Sequence, residues 1–251
     1  MNHFGSGDIP FSEAEHTELK TTNSKDFIQV PFMIGAISFF HSVPADDLNA
    51  TTRKLNLDRC TLSAIFQRKI KTWDHAAIKA LNPGLTVPAN QAINVVRRKL
   101  GSSSTSLSSK YLNGATADAT CSYNWDIGTG KGGPGESPTW AADTIEQEGS
   151  GGVSKYIADN KYSIGYIDSG HGHSKNLAEI ALKNADGNYL TSKEAGAAGI
   201  GAAGANAVST ALANDMSLSW HAVDLMNQAG ANTWPICTFS YLYIRKNLDD
   251  T

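Results

Sequence analysis

Residues 95–112 read VVRRKLGSSSTSLSSKYL, and no other stretch constrains the fold as much. It begins apolar and β-branched, as the end of a buried strand does, then turns basic, passes Gly101 and enters a hydroxyl-rich run. Within that run Leu107, Tyr111 and Leu112 recur at helical spacing. A strand, a short Ser/Gly loop and a helix start together make an anion trap. The first N–H groups of a helix lack internal partners and carry the positive end of its macrodipole. Ser102, Ser104 and Thr105 add hydroxyl donors, and Arg98 adds a permanently charged planar fork suited to an oxyanion. A Ser-rich surface loop capping an ordinary helix accounts for the same letters, because no Walker-type lysine signature is present.

A chain of 251 residues can bury a substantial core in one or two domains. With 18% charged residues and 23 glycines, it reads as globular and loop-rich. Its net charge is −3 and its Lys and Arg are scattered; without a basic stripe interleaved with aromatics, nucleic acid is not an expected partner. No apolar run reaches membrane-spanning length, since residues 32–40 are only strand-sized. Cys60, Cys121 and Cys237 lack metal-type spacing and are too few for a disulfide framework. A Cys60–Cys121 bridge is open to an exported protein, but composition does not fix the compartment. Asn49-Ala50-Thr51 is a glycosylation sequon, meaningful only in a eukaryotic secreted protein, and residues 1–8 lack the features of a signal peptide.

Along the chain, GSGDIP at residues 5–10 is a tight polar loop that calls for a strand upstream. Ser12 caps a helix opening on Glu13 and Glu15. In residues 27–41 Pro31 splits two apolar runs, giving an extended crossing segment followed by a strand. Thr61 caps a helix with Leu62, Ile65, Phe66 and Ile70 on one face, and a second short helix runs from Trp73-Asp74 through Leu81. Strand 93–96 delivers the anion loop, whose helix ends near Asn113-Gly114, and residues 126–138 form a Gly-rich loop. Further on come a helix capped by Asn160, a strand at 163–167, and a hairpin-like element with its turn at Asp186-Gly187. A Gly/Ala-rich helical region spans 195–213, and a strand spans 234–244. Strands alternating with helices predict an α/β fold with mostly parallel pairing. Trp73 and Trp125 read as core aromatics. The sequence DSGHGH, with Asp168, His171 and His173, reads as a solvated Gly loop rather than a metal centre, and no metal or cofactor is expected. Nothing in the sequence sets a nucleophile beside either histidine, so no enzymatic activity is expected.

Several colinear pieces carry a resemblance. They are GSGDIP, LNLDRCTLSAIFQRKIKTWDHAAIKALNPG at 55–84, Arg98-x-x-Gly101-Ser102, Gly-Gly-Val at 151–153, SIGYI at 163–167 and WPICTF at 234–239. In these the chain is similar, over residues 4–244, to the PstS-type phosphate-binding proteins of ABC importers. The resemblance implies a two-lobe, periplasmic-binding-protein-like (type II) fold with crossing hinge strands. Lobe I comprises 1–38 and 170–251 and is incomplete; lobe II comprises 39–169 and carries the anion loop. The implied function is non-catalytic, high-affinity capture of inorganic phosphate between the lobes. Delivery to an ABC transporter follows, with an ABC permease as partner and a periplasmic, extracellular or cell-surface location. The family's Arg-Ser-Asp-Gly-Ser-Gly-Thr-Thr loop falls on residues 98–105, making Arg98 the charged ligand and Ser102, Ser103 and Ser104 the hydrogen-bond donors. Its Gly-Ala-Ser-Asp loop falls on Gly5-Ser6-Gly7-Asp8, making Asp8 the acceptor of the proton on hydrogen phosphate.

Three departures bear on this. Leu100 stands where the family has an Asp paired with the arginine, and Ser103 replaces a Gly. The family's first strand and two further phosphate loops have no counterpart before Met1, and its closing helices none after Thr251, as in a member truncated at both ends. Sulfate or another tetrahedral oxyanion is therefore an alternative ligand, and a scaffold or interaction protein without ligand binding an alternative role.

Overall fold

Two long strands that run past one another organise the molecule, which is described here by a computed structural model for residues 4–21, 26–123, 125–127 and 135–246. In chain order the first elements are β1 (Phe4–Gly7), α1 (Glu13–Thr21), β2 (Phe27–His41), β3 (Asn56–Leu57), α2 (Arg59–Phe66), α3 (Ala76–Leu81) and β4 (Asn94–Arg98). They are followed by α4 (Ser103–Asn113), β5 (Ile145–Gln147), α5 (Gly149–Asp159), β6 (Ser163–Asp168), α6 (Ser169–Ser174) and β7 (Ala178–Glu179). The last are β8 (Ala181–Lys183), β9 (Tyr189–Leu190), α7 (Ser192–Ala207), α8 (Thr210–Asn214) and β10 (Cys237–Arg245). The main sheet has the order β1-β10-β2-β6-β4-β5, with β7 also on β2; a second sheet has the order β3-β8-β9.

The α/β class holds, but the expectation of mostly parallel pairing does not. Among the described residues, ladders β1/β10, β10/β2, β2/β6, β2/β7 and β8/β9 are antiparallel, and only β3/β8, β4/β5 and β4/β6 are parallel. Parallel pairs need crossover connections, which here surround the anion loop; the long strands β2 and β10 pass in opposite directions and so pair antiparallel.

β2 also corrects the reading of Pro31, because the strand continues through it. Pro31 pairs with Tyr241 and Met33 with Ser240, so Phe32 is an extra residue in a bulge. Among the described residues, β10 is the only strand laddered to this part of β2, since β6 joins at Ile37 and β7 at Phe40. A one-sided ladder interrupted by a bulge tolerates a residue without an N–H.

Helix starts follow side-chain capping. Ser12 and Glu15 exchange hydrogen bonds at the start of α1, as expected. α2 starts earlier than expected: Asp58, not Thr61, is the cap and accepts the Thr61 N–H at 2.8 Å. α3 begins at Ala76 with His75 as its cap, later than the expected Trp73 start. Asn160 ends α5, its Nδ2 donating to the Tyr156 carbonyl at 2.9 Å. DSGHGH is not a solvated loop: Asp168 caps α6 by accepting the His171 N–H, and Gly172 is buried against the Phe40 ring. Of the Gly-rich segment, residues 128–134 lie outside the described residues, while 135–137 form bends.

The core joins Phe39, Phe66, Trp73, Tyr111 and Tyr166, all fully buried, and Trp125 lies in the same cluster. Cys60 and Cys121 form a disulfide with Cα atoms 5.5 Å apart. Cys237 is a buried free thiol, its pKa pushed up to about 12 by burial.

Candidate functional site

The anion loop is held from below by one phenol. β4 lies between β5 and β6, and its Val95 and Val96 are fully buried. At its end the Arg98 N–H donates to Tyr166 Oη at 3.4 Å. Tyr166 Oη also meets Thr105 Oγ1 at 2.8 Å, and Thr105 Oγ1 meets Ser102 Oγ at 2.9 Å. Ser102 caps α4, its Oγ accepting the Thr105 N–H at 3.1 Å. Burial pushes the Tyr166 pKa up to about 12, so the phenol keeps its proton at neutral pH. The strand end and the first turn of α4 are thereby tied to the same buried group.

Above this chain, donors accumulate. Arg98 Nη1 reaches Ser150 Oγ, in the first turn of α5, at 3.5 Å, while Arg98 Nε is buried without a hydrogen-bond partner among the described residues. Leu100 is 61% exposed and supplies no carboxylate to the guanidinium. Ser104 is buried, and its hydroxyl makes no hydrogen bond among the described residues. Across from them Asp8 follows β1. Its Oδ1 accepts from Ser240 Oγ at 2.7 Å, and its carbonyl accepts from Thr238 Oγ1 at 2.8 Å. Asp8 Oδ2 accepts from Ser103 Oγ at 3.5 Å, so two residues 95 apart in sequence meet.

All five residues singled out from the sequence, Asp8, Arg98, Ser102, Ser103 and Ser104, line one cleft of about 960 Å3. Sequence reasoning missed Ser150, Thr238 and Ser240 in the same wall. Ser150 had a weak signal in its Gly-Ser-Gly-Gly context, which opens a helix. Ser240 and Thr238 had none, since each is one hydroxyl in an otherwise apolar strand.

A second polar group lies farther along the cleft. Glu179, its side chain only 5% exposed, accepts from the Ser192 N–H at 2.9 Å and from Ser38 Oγ, and pairs with His173 Nε2 at 2.8 Å. Ser192 Oγ lies 3.5 Å from the same nitrogen, and Ser154 Oγ lies 3.1 Å from His171 Nε2. Serines therefore stand beside both histidines, though neither comes from the anion loop. Neither arrangement forms a proton relay: His173 meets Ser192 and Glu179 through one nitrogen, and Ser154 Oγ donates to the Gly151 carbonyl.

With this geometry in hand, similarity to known proteins is informative. A model of the PBP superfamily domain matches residues 1–249. A phosphate-binding protein PstS of Xylella fastidiosa is 32% identical over 248 residues, covering 98% of this chain and 60% of that protein. The corresponding PstS of Haemophilus influenzae is 29% identical over 253 residues, covering 98% and 65%. The chain thus spans less than two thirds of the length of these relatives. Among solved structures, a periplasmic phosphate-binding protein (PfluDING) bound with phosphate aligns with a TM-score of 0.63 at 21% identity, covering 99% of this chain and 67% of that one. A phosphate-binding protein from Stenotrophomonas maltophilia aligns with a TM-score of 0.64 at 17% identity, covering 99% and 65%. At these identities the likeness is one of fold, a two-lobe binding-protein architecture. Among the described residues no helix is long and apolar enough to cross a membrane.

Proposed function

We propose that this chain, which belongs to the PBP superfamily, captures inorganic phosphate in its cleft without changing it chemically. The observation that carries this reading is the Arg98 guanidinium: among the described residues its Nε is buried without a partner and its Nη1 meets a neutral hydroxyl. A buried donor left unpaired costs about 1–3 kcal/mol, more when charged, and a bound oxyanion removes that cost. Around the anion, Ser103 and Ser104 add hydroxyls at the start of α4, where the helix N–H groups favour negative charge. With Thr105 Oγ1 donating to Ser102 Oγ, the Ser102 hydroxyl proton is free for the anion as well.

Asp8 supplies selectivity. Inorganic phosphate still carries a proton at neutral pH, which a carboxylate can accept; sulfate carries none and is repelled. Lobe I then consists of 1–38 and 170–251, and lobe II of 39–169. This division is supported by β2, whose ladder passes from β10 to β6 between Ala36 and Ile37, while β8 of the first lobe, with β9 beside it, reaches across to pair with β3 of the second. The lobes close over the anion and present the complex to an ABC permease. A periplasmic or cell-surface location fits the Cys60–Cys121 disulfide, because such bridges persist in oxidising compartments.

One observation favours a second ligand, sulfate or a similar oxyanion: both Asp8 oxygens already accept from the hydroxyls of Ser240 and Ser103. Competition calorimetry at pH 7 separates the readings. The proposal expects phosphate to outcompete sulfate on the unaltered chain and Asp8→Asn to admit sulfate. Equal binding of both anions to the unaltered chain overturns the role given to Asp8.

A further inference from the structure

The cleft is far larger than the anion it is assigned. A five-atom oxyanion fills the room of roughly three waters, about 90 Å3 in all, whereas the cleft measures about 960 Å3. Clefts of about 300–1,000 Å3 hold organic ligands. One flank of the additional wall is apolar and adjoins the anion loop, while Asp168, Ser169, His173, Ser192 and Lys193 line the rest. Leu107 lies one helical turn beyond Ser103 on α4, and Met33, Ile34 and Ile37 line the cleft from β2. Ala197 and Ile200 line it from α7. Met33 is 56% exposed, and Leu107, Ile34 and Ile200 are only half-buried.

Resting on the phosphate reading, we propose that the same site accepts short-chain alkylphosphonates, with the phosphonate on Arg98 and Ser102–Ser104 and the alkyl group along this wall. Two independent requirements select that class. The flank formed by Met33, Ile34, Ile37, Leu107, Ala197 and Ile200 offers apolar contact, so it suits a plain hydrocarbon chain. Asp8 needs a proton on the ligand. A phosphate monoester has lost most of its second proton by pH 7, its pKa being about 6. A carbon substituent on phosphorus withdraws less charge than an ester oxygen, so an alkylphosphonate holds that proton to higher pH. The Asp8 carboxylate therefore discriminates between two ligands of the same length and shape.

Calorimetry on the full chain at pH 7 tests this with phosphate, methylphosphonate, n-butylphosphonate and n-butyl phosphate. Three additional methylenes, each half buried at about 0.8 kcal/mol for full burial, predict roughly tenfold tighter binding of butylphosphonate than of methylphosphonate. At pH 7 a second pKa of about 6 leaves roughly a tenth of the butyl phosphate protonated, so it is expected to bind up to about tenfold more weakly than butylphosphonate. Ala197 is exposed, so Ala197→Trp fills the apolar wall without crowding the core. It is expected to abolish the butyl advantage and leave phosphate affinity unchanged. If phosphate binds but butylphosphonate gains nothing over methylphosphonate, the phosphonate assignment fails and the phosphate reading stands. Equal binding of butyl phosphate and butylphosphonate also overturns it, and no heat with phosphate from the folded chain overturns both.

Discussion

Lowering the pH from 7.5 to 4.5 is expected to destabilise the protein through one buried ring. His41 ends β2, is 2% exposed, and pairs with Ile164 on one side and Ala178 on the other. Its Nδ1 accepts the Val43 N–H at 3.1 Å, and burial lowers its pKa to about 4. The native state therefore keeps the ring neutral, while the unfolded chain takes up a proton near pH 6.5. For this depressed pKa, the stability contribution is complete above about 6.5 and declines as pH falls toward 4. Integrating proton uptake over the two states from pH 7.5 to 4.5 gives a loss of about 2.5 kcal/mol. Urea unfolding at both pH values, followed by tryptophan fluorescence, measures it, since Trp73, Trp220 and Trp234 are almost fully buried. His41→Asn provides the control, keeping a neutral polar side chain that can accept from Val43. Other groups with lowered pKa values, His16, Asp74 and Glu194 among them, titrate alike in both proteins and cancel. The unaltered chain should lose about 2.5 kcal/mol more than the variant over this window. A difference below about 1 kcal/mol would refute the assignment of a buried neutral His41.

Two further perturbations act on the second lobe. Removing the disulfide with Cys60→Ser and Cys121→Ser frees a loop with a sequence separation of 61; loop-closure entropy puts the loss at about 4 kcal/mol, measurable by urea unfolding. Tyr166→Phe removes the hydroxyl that links the Arg98 N–H to Thr105. It is expected to cost about 1–3 kcal/mol in stability and to weaken phosphate binding several-fold by calorimetry. Unchanged phosphate affinity in the folded Tyr166→Phe protein would mean that the buried phenol does not position the loop.

Much of this was legible because it depends on local chemistry. The hydroxyl of Ser102 beside a helical run specifies a cap, and that cap lies where the anion loop was read. Asp8 could not be joined to Ser103 by any local rule; the resemblance paired them, and the meeting requires β1 to be registered on β10. Other features were hidden for physical reasons. Pro31 normally ends a ladder, and only a bulge opposite Ser240 and Tyr241 lets β2 continue. Asp58 and Thr61 are both good caps, and the choice between them rests on where α2 packs, which one-dimensional spacing does not record. DSGHGH looked like a loop because its glycines disfavour helix, yet Gly172 is needed there: a Cβ would lie 2.2 Å from the Phe40 ring. Glu179 was overlooked in an apolar segment, where its buried hydrogen bonds with Ser38, Ser192 and His173 arise only from tertiary contacts.

The most direct test of the central claim is calorimetric titration of the folded chain with phosphate at pH 7, alongside Arg98→Ala. Removing a charged, partly buried ligand to an oxyanion costs about 2–5 kcal/mol, so the variant should bind at least about 30-fold more weakly. Saturable binding that survives Arg98→Ala with its affinity intact would contradict the account, because Arg98 Nε, without a partner among the described residues, would then have no part in holding the anion.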